Sequence, residues 1–188
     1  CYSALLRESN LPARAAAGIW HSVFIDGEGR LSSCGTAAGE DGDSLGPLGH
    51  GGGVTRLNTP TRLPLLGGER AVSVEAGGFH NLALTADAVW SWGDGLFGML
   101  GHGDEQNQLL PKKVEAFAGQ RVVAVSAGGF HSLALTADGE VWSWGPGGDG
   151  RLGHGDEQEQ LLPKKIEALA GQRVIAVSAG DVHLSHIH

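Results

Sequence analysis

Apolar and polar residues alternate along His131–Thr136 (HSLALT): Leu133 and Leu135 fall on one face, and Ser132, Ala134 and Thr136 on the other. A period of two is the mark of a strand with one face toward a core. The next run, Val141–Trp144 (VWSW), puts Trp142 and Trp144 on a shared face. Asp138-Gly139 lies between the two runs and predicts a two-residue hairpin turn, since glycine supplies the positive φ such turns require. The upstream copy has Asp87-Ala88 there and must close differently. Val122–Ser126 (VVAVS) reads as a further strand. The segments holding Pro111 and Pro163 suit a fourth, at an edge where proline's missing N–H is harmless. Leu133, Leu135, Val141 and Val174 are expected in strands of one antiparallel sheet.

The pattern repeats. Gly101–Gly128 (GHGDEQNQLLPKKVEAFAGQRVVAVSAG) matches Gly153–Gly180 at 24 of 28 positions. Three of the four differences exchange one apolar residue for another: Val114 for Ile166, Phe117 for Leu169 and Val123 for Ile175. These positions are therefore expected to be packed. AGGFHNLALTAD at Ala76 and AGGFHSLALTAD at Ala127 repeat the same frame, with a diverged copy at Ala17 and the start of a fourth at Ala179. The aligned histidines His21, His80, His131 and His183 are 59, 51 and 52 residues apart, the first unit carrying an insertion around 37–46. A segment 1–14 precedes the repeats, which occupy 15–188. A small sheet cannot bury both faces alone, so four-stranded units at this period point to an all-β chain of propeller blades, three to four of them and thus a partial ring. WD repeats are shorter and end in Trp-Asp, which is absent here; kelch repeats have the right length.

Composition agrees with many turns and few long helices: glycine is 32 of 188 residues and charged residues are 18%. A net charge of −8 argues against a nucleic-acid surface and an anionic membrane, and favours a basic protein partner. No apolar run reaches the roughly 18 residues that span a bilayer. The two cysteines, Cys1 and Cys34, make no disulfide framework, which favours an intracellular compartment. Cys1 in place of methionine leads us to expect a piece of a longer polypeptide, whose remainder supplies further blades.

Ala127–Asp156 (AGGFHSLALTADGEVWSWGPGGDGRLGHGD) resembles the repeat of the regulator of chromosome condensation family: a small-Gly-x-x-His-Ser start, a Leu-x-Leu-Thr-x-Asp-Gly hairpin, a Trp-Gly exit and a Gly-x-Leu-Gly-His-Gly loop. The resemblance implies a seven-bladed propeller that binds proteins through its loops. Family members are exchange factors for small GTPases, interaction modules attached to other domains, and a plant ultraviolet-B receptor. The last one's tryptophan-rich signature is absent, and Trp90, Trp92, Trp142 and Trp144 are expected to pack between blades.

Chemical motifs fail on inspection. Gly93, Gly95 and Gly98 spell G-x-G-x-x-G, and Gly145, Gly147 and Gly150 repeat it 52 residues later, but glycines and prolines follow where a phosphate-holding helix would have to start. These glycines are expected to be turns that let strands of neighbouring blades approach. The histidines, in a strand-start set and a loop set (His50, His102, His154), are expected to bond backbone groups near blade junctions, since equivalent positions around a ring do not converge on one ion. No catalytic constellation, metal or cofactor is expected. The reading is a non-enzymatic interaction scaffold, the alternative an exchange factor for a Ran-like or other small GTPase. The candidate partner-binding residues are acidic loop side chains: Asp104 and Glu105, Asp156 and Glu157, and Glu40, Asp41 and Asp43 in the insertion.

Overall fold

The computed structural model describes residues 14–37, 46–64 and 66–180. They form three four-stranded antiparallel sheets, each running in chain order. The first is β1 (Arg14–Ala17), β2 (His21–Ile25), β3 (Leu31–Thr36) and β4 (Arg56–Arg62). The second is β5 (Ser73–Ala76), β6 (His80–Leu84), β7 (Val89–Gly93) and β8 (Gln108–Lys113). The third is β9 (Val122–Ala127), β10 (Ser132–Thr136), β11 (Val141–Gly145) and β12 (Gln160–Lys165). The chain is thus all-β and forms part of a propeller. First strands of successive blades touch one another, whereas β4, β8 and β12 form the outer edges and hold Pro60, Pro111 and Pro163.

The core lies between blades. One cluster joins Val23, Ile25 and Leu31 of the first blade to Val74, Ala83 and Trp92 of the second. The next joins Leu82, Leu84, Val89 and Phe117 of the second to Val125, Ala134 and Trp144 of the third. Trp92 and Trp144 are both 0% exposed. Their neighbours Trp90 and Trp142 pack at the cluster margins, and Phe117 lies edge-on to Trp142 with ring centroids 5.8 Å apart. The tryptophans are packing residues.

Several expectations need correction. Leu133, Leu135 and Val141 do share a sheet, but Val174 is outside it, because the blade takes its first strand from β9, upstream of the histidine. Residues 172–180 have no strand ladder; Val174 donates its N–H to the Gly139 carbonyl at 3.2 Å, and by repeat position it matches Val122, the first residue of β9. Val123 is 45% and Ile175 88% exposed. The cause at Val123 is a β-bulge: Thr136 pairs with Val122 and Leu135 with Ala124, so Val123 is skipped by the ladder and turned outward while Val122 and Val125 are both buried. Ile175, its repeat counterpart, lies in the segment without a ladder. The hairpin tip holds three residues rather than two: Thr136 and Glu140 close it at 2.9 Å, with Gly139 at φ 85°. In the second blade Thr85 closes onto Ala88 through its backbone and hydroxyl, so no glycine is needed.

We predict opposite outcomes for two tryptophans in urea unfolding. Trp144→Ala removes a buried inter-blade ring and lowers stability by about 3–5 kcal/mol. Trp20→Ala, at a position 64% exposed, changes it by less than about 0.5 kcal/mol.

Candidate functional site

At each described junction one carbonyl receives two side-chain donors from the next blade, beside backbone bonds such as Gly51 N–H to Leu109 O at 2.8 Å and Gly103 N–H to Leu161 O at 2.9 Å. Met99 O accepts from Ser132 Oγ and Trp144 Nε1, both at 2.9 Å. Pro47 O accepts from Asn81 Nδ2 at 2.9 Å and Trp92 Nε1 at 3.1 Å. The strand-start histidines complete the fastening across the junction. Since Ser132 spends its only proton on Met99, His80 Nε2 donates to Ser132 Oγ, at 2.8 Å. His21 Nε2 likewise donates to Asn81 Oδ1 at 2.8 Å. These partners are side chains, where backbone groups were expected.

Glycine before each histidine is a spatial requirement. A Cβ on Gly77 would lie 2.3 Å from the Gly128 carbonyl of the next blade and 2.7 Å from His80 Cε1. Of the G-x-G-x-x-G glycines, Gly98 acts similarly, approaching Leu161 of the next blade, as Gly101 beyond the motif approaches Trp144 and Pro163. Gly93 and Gly95 instead approach Phe79 O and Gln106 O of their own blade, and Gly145 and Gly147 repeat this with Phe130 O and Gln158 O, where an approach between blades was expected. Only a three-residue 3₁₀ turn, Leu96–Gly98, follows the first loop.

The loop histidines are fixed within their own blades. Ser91 Oγ donates to Leu100 O at 2.7 Å and accepts from His102 Nε2 at 2.9 Å; Ser143 with Leu152 and His154, and Ser33 with Leu48 and His50, repeat the arrangement. Burial holds His102 down to about 4, helped by Lys112 and opposed by Asp104.

One rim gathers the long loops. Strand pairing places the turns before β2, β6 and β10 at the same end of the blades as the long loops leaving β7 and β11, because His80 pairs with Gly93 and Ser132 with Trp144. The loop segments 94–107 and 146–159 carry Asp94, Asp104, Glu105, Asp149, Asp156, Glu157 and Glu159 against a single basic side chain, Arg151. Asp104 and Asp156 each accept the backbone N–H two residues on, Gln106 at 3.0 Å and Gln158 at 3.1 Å, which shapes the loops. Glu105 and Glu157 project into solvent, and among the described residues none of these four carboxylates is ion-paired. Lys165 is committed to Glu140 at 2.6 Å. The other candidates, Glu40, Asp41 and Asp43, lie outside the described residues.

The same rim exposes apolar side chains that residue pattern alone did not single out. Ile19 is 48%, Trp20 64%, Leu96 44% and Phe97 40% exposed. Phe79 and Phe130, which match Trp20 by repeat, are half-buried and pack with ring planes tilted at 42° and centroids 5.7 Å apart. The recurring aromatic before the histidine was a legible signal; the exposure of Trp20 among the three was not. Phe97 also sits at φ 55°, in the left-handed region that bulky side chains avoid, and its counterpart Asp149 sits at φ 58°.

A family model described as the regulator of chromosome condensation (RCC1) repeat matches residues 87–135 and 138–185, and a second of the same description matches 122–151. The chain belongs to the RCC1 repeat family. Mouse E3 ubiquitin-protein ligase HERC2 is 42% identical to it over 173 residues, which is 90% of this chain and 3% of that protein. The ultraviolet-B receptor UVR8 of Arabidopsis thaliana is 39% identical over 140 residues, 74% of this chain and 32% of the receptor. The chain therefore spans a third or less of these RCC1-repeat relatives. Among solved RCC1-type structures, Prp20p from Saccharomyces cerevisiae matches 89% of this chain and 41% of its own with a TM-score of 0.77 at 25% identity. Human WBSCR16 matches in fold, with a TM-score of 0.64 at 22% identity, over 89% of this chain and 55% of its own.

The histidines make the junctions sensitive to acid. Burial, with His21 and His131 nearby, holds His80 at about 3 against an ordinary 6.5. The folded value is depressed, so the unfolded chain takes up a proton as pH falls below 6.5 while folded His80 stays neutral. Stability should thus be full above about pH 7 and fall progressively toward pH 4, read as a falling urea midpoint. His80→Gln, which keeps an N–H donor without titrating, is expected to flatten this slope.

Proposed function

We propose that this chain is a non-enzymatic protein-interaction module whose acidic, aromatic rim binds a basic protein surface. The observation that carries the reading is the co-location, on one rim, of unpaired carboxylates and exposed aromatic side chains. Carboxylates steer and orient a cationic partner, and aromatic faces add cation–π contacts of roughly 0.5–2 kcal/mol. Relatives support a binding role: Prp20p has been studied for its binding to Gsp1p and histones, and yeast RCC1 has been seen with Kap60 bound. The alternative, nucleotide exchange on a Ran-like or other small GTPase, draws on the same relative.

Two measurements separate the readings. Binding to a core histone, as the basic probe, is expected to weaken about tenfold at low salt when Asp104, Glu105, Asp156 and Glu157 are replaced by Asn or Gln, and the loss should shrink as salt shortens the roughly 8–10 Å screening length. Trp20→Ala should weaken binding independently of salt. Unchanged affinity and salt slope in the quadruple variant would remove these residues from the site. In the second measurement, release of fluorescent GDP from a Ran-type GTPase should not accelerate on adding the chain; a tenfold or greater acceleration would establish the exchange reading instead.

A further inference from the structure

The outer edge of the first blade carries a side chain that the other two blades lack. In all three blades the fourth strand bulges away from its neighbour at the same place: Gly35 pairs with Leu57 and Ser33 with Thr61, Gly93 with Gln108 and Ser91 with Lys112, Gly145 with Gln160 and Ser143 with Lys164. Three residues of each fourth strand thus stand opposite one residue of the third and lie outside the ladder. In β8 and β12 they read Leu-Leu-Pro, and in β4 Asn58-Thr59-Pro60. The middle position projects outward in every blade: Leu110 is 48% and Leu162 51% exposed, and Thr59 is exposed with them. Proline belongs to the edge of all three blades, whereas the threonine hydroxyl stands in one.

The neighbours of Thr59 complete an acceptor segment. Pro60 follows it directly, Arg62 stands three residues after it and Arg56 three before. Of the seven prolines in the chain, Pro60 alone follows a serine or threonine. Every residue from Asn58 to Arg62 is exposed, and β4 ends its sheet with no strand beyond it. Among the described residues the Thr59 hydroxyl takes part in no hydrogen bond, while the Thr59 carbonyl accepts from the Thr61 hydroxyl at 3.1 Å. Arg62 reaches Asp26 at 3.5 Å, an exposed pair of the kind that contributes little and yields to a stronger partner.

We propose that Thr59 is a phosphoryl-acceptor site for a proline-directed protein kinase, of the class that also reads a basic residue three positions after the acceptor. Thr59 Oγ1 attacks the γ-phosphorus of ATP held by the kinase. The Oγ1–phosphorus bond forms, the bond to the oxygen bridging the β- and γ-phosphates breaks, and ADP leaves with that electron pair, while the hydroxyl proton passes to the kinase's catalytic carboxylate. The strand supplies what such an enzyme requires of its substrate: an extended backbone, proline next in sequence, the Arg62 cation and open space around the hydroxyl. The product adds about 1.5 to 2 negative charges to an edge that carries Arg56 and Arg62. The rim reading is independent of this site.

Incubation of the full chain with a cyclin-dependent kinase and ATP, read by intact-mass and fragment mass spectrometry, is expected to add one phosphate, at Thr59. Thr59→Val should abolish the addition. Pro60→Ala should slow it by about tenfold, a loss on the scale of one specificity contact, with the circular dichroism spectrum of the parent retained. A site that must unfold first is slowed by its opening equilibrium, so the folded chain should react at no less than about a tenth of the rate of a synthetic peptide of residues 54–64. Leu110→Thr tests the position apart from the first blade: it places Thr-Pro on the bulge of β8 with Lys113 three residues on, and should gain a second phosphate. A folded chain that stays unmodified or falls below that rate, a phosphate that persists in Thr59→Val, or a folded Leu110→Thr variant that gains none overturns the proposal.

Discussion

The second and third blades are each keyed to the blade before by one backbone carbonyl that takes two side-chain donors at once. Four short strands cannot bury two faces, so each sheet is stable only when sandwiched, and apolar contact alone does not set the angle of the sandwich. The Pro47 and Met99 carbonyls do, because each accepts an indole N–H and a polar side-chain donor at once, and two directed bonds fix position as well as contact. Leaving such buried groups unpaired would cost on the order of 1–3 kcal/mol each. Serine or asparagine after the histidine and tryptophan near the end of the third strand are consequences of this contact; the glycine before the histidine answers to a second one, the close approach of the next blade's glycine carbonyl.

The repeat and the blade do not coincide. The family match over residues 87–135 covers β7 and β8 of the second sheet and then β9 and β10 of the third. Each repeat therefore stitches two blades covalently as well as contributing to the contact between them. The same offset explains residues 172–180: they continue a repeat whose other strands are already paired, and so extend beyond β12 without a sheet of their own.

Buried polar bonding and exposed charge are separated along the strand direction. Histidines, serines and tryptophans are spent inside, where burial keeps the imidazoles neutral, as the low value of His80 shows. The rim loops carry the charge and the differences between units. At equivalent loop positions the second blade has Leu96 and Phe97, the third Gly148 and Asp149. Asp is at home in the left-handed region, Phe is not, so the aromatic is held there against a local conformational preference. Residues are thus matched in the junctions and divergent at the rim, as loops vary more readily than the packed elements they connect.

Periodicity alone determined that this chain is all-β, that its strands are short, that they come in sets of four and that the sets repeat as blades, since alternation and repeat length depend only on local order. It also marked Trp144 and Trp92 as packing residues and dismissed the phosphate-loop motif. Tertiary structure decided which strands share a sheet, and so moved Val174 out of the blade of Leu133, because a strand pairs with whatever lies beside it in space rather than next in the repeat. It decided that His80 bonds a serine 52 residues away, that Val123 is exposed while its neighbour Val122 is buried, and that Trp20, Phe79 and Phe130 share a rim with the acidic loops. A strand pattern specifies two faces but not what lies against each, and that is settled only when the neighbouring blade is in place.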